Sequence, residues 1–394
     1  MFDLPAVQSA LQTLNLDGWL LYDFRGLNVL ARRILRFPED LTASRRWFYW
    51  IPAGGEPHKL LHRIEDNVLD HLPGDAATYL RWEELEAGVK QLVGGATTIA
   101  MEYSPRNSNP YVSRVDGGTV ELVRSFGAEV VSSGDLVQMF EAAWDDEQWQ
   151  MHLEAEKVTT SSFDMIWKVI ANAVRNAGGV EEIAIQATIM RHFETHNCTT
   201  YHPPIVARAD HSGSPHYETG QGADCRIREG DLVMIDQWCK LDRPRSVYSD
   251  LTRMGYVGET VPEKYATVFA VVAEARDAAV DFIETEMSAG REVQGWQVDA
   301  AARNVIEKAG YGAAFAHRTG HSIGEEVHGN GANMDNLETH DERRLVPRTC
   351  FSIEPGIYLP EFGIRSEINV YIDENGKPRV TGGPVQSGIL PILA

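Results

Sequence analysis

Glu229-Gly230-Asp231-Leu232-Val233-Met234-Ile235-Asp236-Gln237-Trp238, followed after a short link by Tyr248-Ser249-Asp250-Leu251-Thr252-Arg253-Met254, is the stretch on which the fold of this chain turns. The apolar run behind a Glu-Gly turn reads as a buried strand, and the second segment as another. The link holds Asp242-Arg243-Pro244-Arg245, strong turn chemistry. A hairpin centred on Arg243 places Asp236 opposite Asp250, with their Cβ atoms about 4.5–5.5 Å apart. Like charges at that range destabilise a hairpin, so something must offset them.

A second pair of segments repeats the construction. Phe351-Ser352-Ile353-Glu354 and Ile364-Arg365-Ser366-Glu367-Ile368-Asn369-Val370 read as strands joined by Leu359-Pro360-Glu361-Phe362-Gly363. Centred between Pro360 and Glu361, this hairpin sets Glu354 opposite Glu367. Between the two hairpins lies His317-Arg318-Thr319-Gly320-His321-Ser322-Ile323-Gly324, with His328 trailing it. Each element has a plain alternative: acids on a solvated strand face, or a histidine with a structural role. If the fold gathers Asp236, Asp250, His321, Glu354 and Glu367, however, four buried carboxylates meet, and only cations make that tolerable. The set therefore predicts a centre for two metal ions.

Working outward, residues 1–145 alternate short strands with helices: a helix around Val7–Leu14, strands at 18–22, 46–51 and 97–101, and a helix opening at Asp135 behind Ser133 or Gly134. This is an α/β pattern with no glycine-rich phosphate loop. A boundary is expected near Asp145-Asp146. Helices then run from Glu147 to Asn176, from Glu181 to Thr195, from Pro262 as first helical residue to Glu286, and from Gln297 to Ala309. Residues 146–394 read as α+β, an antiparallel sheet with helices on its outer face.

The chain has 394 residues and a formal net charge of -21. That surface repels phosphate backbones and anionic lipid, so neither nucleic acid nor membrane is an expected partner. Cys198, Cys225, Cys239 and Cys350 form no Cys-x-x-Cys pair, which suits a reducing compartment. No leader-like segment or long apolar run is visible, and a cytoplasmic protein is expected.

At the quoted motifs the chain resembles the pita-bread metallopeptidases, namely prolidase, aminopeptidase P and methionine aminopeptidase. The matched pieces are G-D-L-V-M-I-D at 230–236, S-D-L-T-R at 249–253, H-x-x-G-H-x-x-G at 317–324 with His328, I-E-P-G-I-Y at 353–358 and G-I-R-S-E at 363–367. Residues 1–145 are similar to the N-terminal domain of prolidase, aminopeptidase P and creatinase.

The resemblance implies two divalent metals bridged by Asp250 and Glu367, with Asp236 on one metal and His321 and Glu354 on the other. Manganese is the expected ion, with cobalt, iron or zinc as alternatives. It implies attack by a bridging hydroxide, Glu354 as proton shuttle, and His328 at the carbonyl oxygen. His216 takes the role of a histidine at the substrate nitrogen, with His211 and His202 as competitors. His317 lines the leaving-group pocket, and Arg365 and Thr252 orient ligand carboxylates. The implied substrate is a small peptide with proline in second position, and the implied assembly a homodimer.

Three departures stand out. Gln237-Trp238 replaces the usual glycine frame, the first hairpin is about three residues longer than common, and Ile368 follows the last glutamate where an acid is frequent. They keep open a metal-dependent hydrolase of a small non-peptide C–N bond, related to creatinase or ectoine-derivative hydrolases. A non-catalytic pita-bread binding module is a more distant alternative, because such modules lose ligands.

Overall fold

The computed structural model describes residues 2–38 and 41–394. They divide into two compact units, Met1–Glu141 and Ala142–Ala394. The first unit is built on a six-stranded mixed sheet. Its strands run in the order Asp75–Tyr79, His58–His62, Trp47–Pro52, Gly18–Asp23, Thr98–Met101, Glu129–Ser132. Gly18–Asp23 pairs antiparallel with Trp47–Pro52 and parallel with Thr98–Met101. Its side chains are buried throughout, because one face packs on Val7, Leu11 and Leu30 and the other on Leu85, Val89 and Val120. The helix expected from Asp135 covers Gly134–Val137 only and continues as a π turn over Gln138–Ala142.

The long helix Asp146–Ala177 opens one residue before the expected Glu147, with the Asp145 carboxylate accepting the Gln148 N–H. The units nevertheless part just before Ala142. Trp144 stacks on Tyr371 at 5.6 Å and donates its backbone N–H to the Arg348 carbonyl, which ties this segment to the second unit.

In the second unit Leu232–Leu241 lies between Ser249–Tyr256 on one side and Ile205–Arg208 on the other, all antiparallel. A second ladder joins Ser322–Ile323, Cys350–Ile353, Ile368–Ile372 and Pro378–Thr381. A short hairpin pairs Gly356–Leu359 with Phe362–Arg365. The strands thus form several ladders rather than one sheet, and Leu390–Pro391 joins Ser249–Tyr256 in parallel. Pro262 is the cap of the Glu263–Ser288 helix rather than its first residue.

Strand alternation sorts the central pair. Val233, Ile235 and Leu251 pack on Ile166, Ile170, Ile185 and Phe193 of the helices Asp146–Ala177 and Glu182–Thr195. Leu232, Met234 and Met254 belong to the other face, with Val268, Val272, Val298 and Ala302 of the helices Glu263–Ser288 and Gly295–Lys308. Asp236, Asp250 and Thr252 share the parity of that second face.

Candidate active site

The first hairpin does not have the register expected of it. Asp236 faces Thr252, and Asp250 faces Trp238, so the pairing is centred on Pro244 instead of Arg243. The link is not a symmetric turn. Arg245 holds a left-handed φ of 63°, the Ser246 hydroxyl donates back to the Leu241 carbonyl at 2.6 Å, and the Tyr248 N–H leaves for the Gly324 carbonyl at 3.0 Å. The displacement is two residues, which preserves the side-chain face. Asp236 and Asp250 therefore remain diagonal neighbours on one face, about 7 Å apart instead of directly opposed.

The second hairpin has the expected centre. Ile353 pairs with Ile368 and Gly356 with Arg365, which leaves Glu354 and Glu367 facing each other at the break between the two ladders. The break is created by Pro355, whose nitrogen cannot donate to a ladder. Both glutamates are thereby free of strand alternation and turn inward.

The five residues meet. One donor atom each from Asp250, His321 and Glu367 lies within 4.8 Å of the other two. His321 Nε2 is 3.5 Å from Asp250 Oδ2 and 3.3 Å from Glu354 Oε1. Its Nδ1 donates to the Ser322 carbonyl at 3.1 Å, which turns Nε2 to the carboxylates, and burial of the ring is outweighed by Asp250 and Glu354, which raise its pKa. Thr252 donates to Glu367 Oε2 at 2.8 Å, with Asp236 Oδ1 a second acceptor at 3.0 Å. Arg365 donates Nε to the Thr252 hydroxyl at 3.0 Å and pairs through Nη2 with Asp236. The Ser352 hydroxyl donates to Glu354 Oε1 at 2.9 Å.

Electrostatics test whether a cation belongs here. Burial outweighs the adjacent Arg365 guanidinium, and with Asp250 and Glu354 nearby it pushes Asp236 up to about 7. Burial likewise raises Asp250, and raises Glu367 well above the carboxylate range. Glu354 alone is lowered, because His321, Arg365 and His317 outweigh its burial. One guanidinium cannot keep four buried carboxylates ionised. Asp250 Oδ1 is buried with no hydrogen-bond partner at all. An orphaned carboxylate oxygen amid oxygen donors and one imidazole fits divalent cations.

The remaining histidines separate by their contacts. His328 packs edge-on against His321, ring centroids 4.3 Å apart, and the His321 charge followed by burial holds it down to about 3. His317 accepts the Tyr358 hydroxyl on Nε2 at 2.7 Å, donates Nδ1–H to the Arg318 carbonyl at 2.6 Å, and is held by burial at about 4. His216 is exposed, and a weak repulsion from it is the smallest of the effects that lower His317 and His328. Of its competitors, His211 binds Glu182 at 2.9 Å, and His202 is exposed and stacks on Trp238 at 6.3 Å, the residue opposite Asp250 in the first hairpin.

Several residues here escape sequence reasoning. The Asn369 amide exchanges bonds with the Asp250 backbone at 2.5 and 3.1 Å, joining the two ladders behind the carboxylates. Tyr358 stood inside a quoted motif, but only the fold puts its hydroxyl between His317 and Arg365. Gln237 points away, donating to the Thr159 carbonyl at 2.9 Å and accepting from Ser162 at 2.9 Å. A cavity of about 610 Å³ opens at His328, lined also by Tyr201, Lys240, Tyr248, Glu325 and Val327.

Residues 150–374 match the profile of metallopeptidase family M24. A putative dipeptidase, YkvY, of Bacillus subtilis is 27% identical over 353 residues, which covers 86% of this chain and 91% of the relative. An Xaa-Pro dipeptidase of Pyrococcus furiosus is 36% identical over 178 residues, 45% of this chain and 46% of that protein. Among solved structures, the dipeptidase PepE of Mycobacterium ulcerans superposes with a TM-score of 0.67 at 24% identity, covering 99% of this chain and 96% of that one. An Xaa-Pro dipeptidase of Bacillus anthracis gives 0.61 at 21% identity, covering 98% of both.

Proposed function

This chain belongs to metallopeptidase family M24, with the pita-bread fold of its solved relatives, and on that premise we propose that it is an Xaa-Pro dipeptidase or aminopeptidase with a dinuclear metal centre. The observation that carries the reading is the buried meeting of Asp250, His321 and Glu367, with Asp250 Oδ1 left unpartnered. Asp236, Asp250, His321, Glu354 and Glu367 would hold two divalent ions, manganese foremost. When bound, such ions make a water acidic enough to ionise near neutral pH and polarise the scissile carbonyl.

The chain's own residues supply the rest. Glu354 is the carboxylate whose surroundings keep it ionised, so it receives the proton of the attacking water and passes it to the leaving nitrogen. His328 faces the carbonyl oxygen, and His216 the substrate nitrogen. His317, neutral and fixed by Tyr358, lines the pocket for the leaving proline. Arg365 and Thr252 hold Asp236 and Glu367 in place from behind. A proline nitrogen has no proton to offer, so this chemistry suits a site that reads the amino terminus and the carbonyl instead.

The departure at Gln237 lends the non-peptide alternative no support, because its amide is taken by Thr159 and Ser162. The test is release of the first amino acid from an Xaa-Pro dipeptide and from a longer Xaa-Pro peptide by the manganese-loaded protein. Asp250→Ala should abolish it. Hydrolysis that survives this change would sink the mechanism, and hydrolysis of simple amides alone would sink the substrate assignment. A dimer, expected by resemblance, is read from sedimentation of the same sample. No helix among the described residues is long and apolar enough to cross a membrane.

A further inference from the structure

Glu182, His211 and Cys225 converge from three separate segments. Glu182 is the first residue of the Glu182–Thr195 helix, His211 lies in the short turn Ala209–Gly213, and Cys225 precedes the Arg226–Ile227 strand. One donor atom of each lies within 4.8 Å of the other two. The Glu182 side chain is wholly buried. Its Oε1 accepts the Arg208 backbone N–H at 2.7 Å and faces His211 Nδ1 at 2.9 Å, and its Oε2 accepts the Tyr217 hydroxyl at 2.6 Å. That hydroxyl stands 3.6 Å from Cys225 Sγ, and the Tyr217 ring stacks on His211 at 4.5 Å.

Two features are odd for a purely structural knot. First, a buried carboxylate is expected to have a cation, yet no Lys or Arg side chain among the described residues pairs with Glu182, and the imidazole of His211 is the one basic side chain on it. The Arg208 guanidinium is taken by Asp231 at 2.8 and 3.0 Å. Secondly, Cys225 is the one cysteine that is not buried, so a solute can reach it. The backbone closes over the His211 ring at the same place: Gly222 has φ +148°, and a Cβ there would stand 2.8 Å from His211 Nε2, which leaves Nδ1 as the nitrogen turned to Glu182.

We propose that Glu182, His211 and Cys225 form a second, mononuclear metal site, separate from the Asp236–Glu367 centre and suited to zinc. One carboxylate, one imidazole and one thiolate are the donors that zinc takes, and a thiolate selects it over manganese. Binding releases the Cys225 proton to solvent, and the carboxylate and thiolate then balance the divalent charge. Tyr217 holds the carboxylate from behind. The ion clamps the start of the Glu182–Thr195 helix to the 205–227 segment, which carries His216.

The test is titration of the metal-free full chain with cobalt(II), which substitutes for zinc and absorbs in the near ultraviolet only when a thiolate binds it. The Asp236–Glu367 centre contains no thiolate, so the band reports this site alone and is independent of catalysis. The band should saturate by three equivalents, two of which fill the Asp236–Glu367 centre without absorbing there. Cys225→Ser and His211→Ala should each remove it, while Cys198→Ser keeps it. Zinc should also raise the unfolding temperature of Asp250→Ala but not of Asp250→Ala combined with Cys225→Ser. Absence of the band in the unaltered protein, or its survival in Cys225→Ser, overturns the proposal whatever the peptidase assay gives.

Discussion

Thr252 is a small side chain with three demands on it: it receives Arg365 Nε and stands within reach of both Glu367 and Asp236. Thr252→Val keeps the shape and removes the hydroxyl. The Arg365 N–H and the Glu367 oxygen then lose a partner in a buried place, at a cost of about 1–3 kcal/mol. We expect metal affinity and kcat to fall about 10- to 100-fold, the usual effect of losing a group that orients a ligand, measured by metal titration and steady-state kinetics. An unchanged affinity would show that Arg365 alone orients the carboxylates. Asp250→Ala is more severe, since its carboxylate meets His321 and Glu367, and less than one manganese ion per chain should remain after dialysis of the manganese-loaded protein.

At the scale of elements, the site depends on close approach between strands. A Cβ on Gly320 would lie 1.9 Å from the Ser352 carbonyl oxygen, on backbone that cannot swing aside. Gly320→Ala must displace the segment that carries His321. We expect a loss of about 1–3 kcal/mol in urea unfolding, typical of overpacking, together with weaker metal binding. The helix Asp146–Ala177 is tied in through His152, which is buried and neutral. It bonds the Tyr248 carbonyl at 2.8 Å and the Thr381 hydroxyl at 2.7 Å, and burial lowers it to about 4. Between pH 4 and an ordinary value of about 6.5, the unfolded chain binds a proton that the native one does not. Stability therefore rises with pH through that window and falls as the solution is acidified, by roughly 3 kcal/mol for this group. His152→Gln should flatten the unfolding free energy between pH 7 and 5 relative to the unaltered protein. An equally steep loss would assign the acid sensitivity to other groups.

Across the whole molecule, the carboxylate centre makes stability depend on metal. Saturation at about a hundred times the dissociation constant adds about 2.7 kcal/mol, so manganese should raise the unfolding temperature of the protein and leave that of Asp250→Ala in place. Calorimetry with and without chelator reads this directly. The amino-acid sequence by itself determined which face of the first hairpin Asp236 and Asp250 occupy and the centre of the second hairpin at Pro360–Glu361. Strand alternation and turn chemistry are local, and a two-residue slip cannot alter the face. Tertiary structure alone decided the register of Asp236 against Thr252, because the Tyr248 N–H goes to the distant Gly324 carbonyl. It also decided that Asn369 ties the Asp250 backbone, that Gln237 belongs to the outer helix, and that Glu182 meets His211 and Cys225. Each of these is a contact between segments far apart in the chain. Such contacts follow from how the whole chain closes, which no local periodicity records.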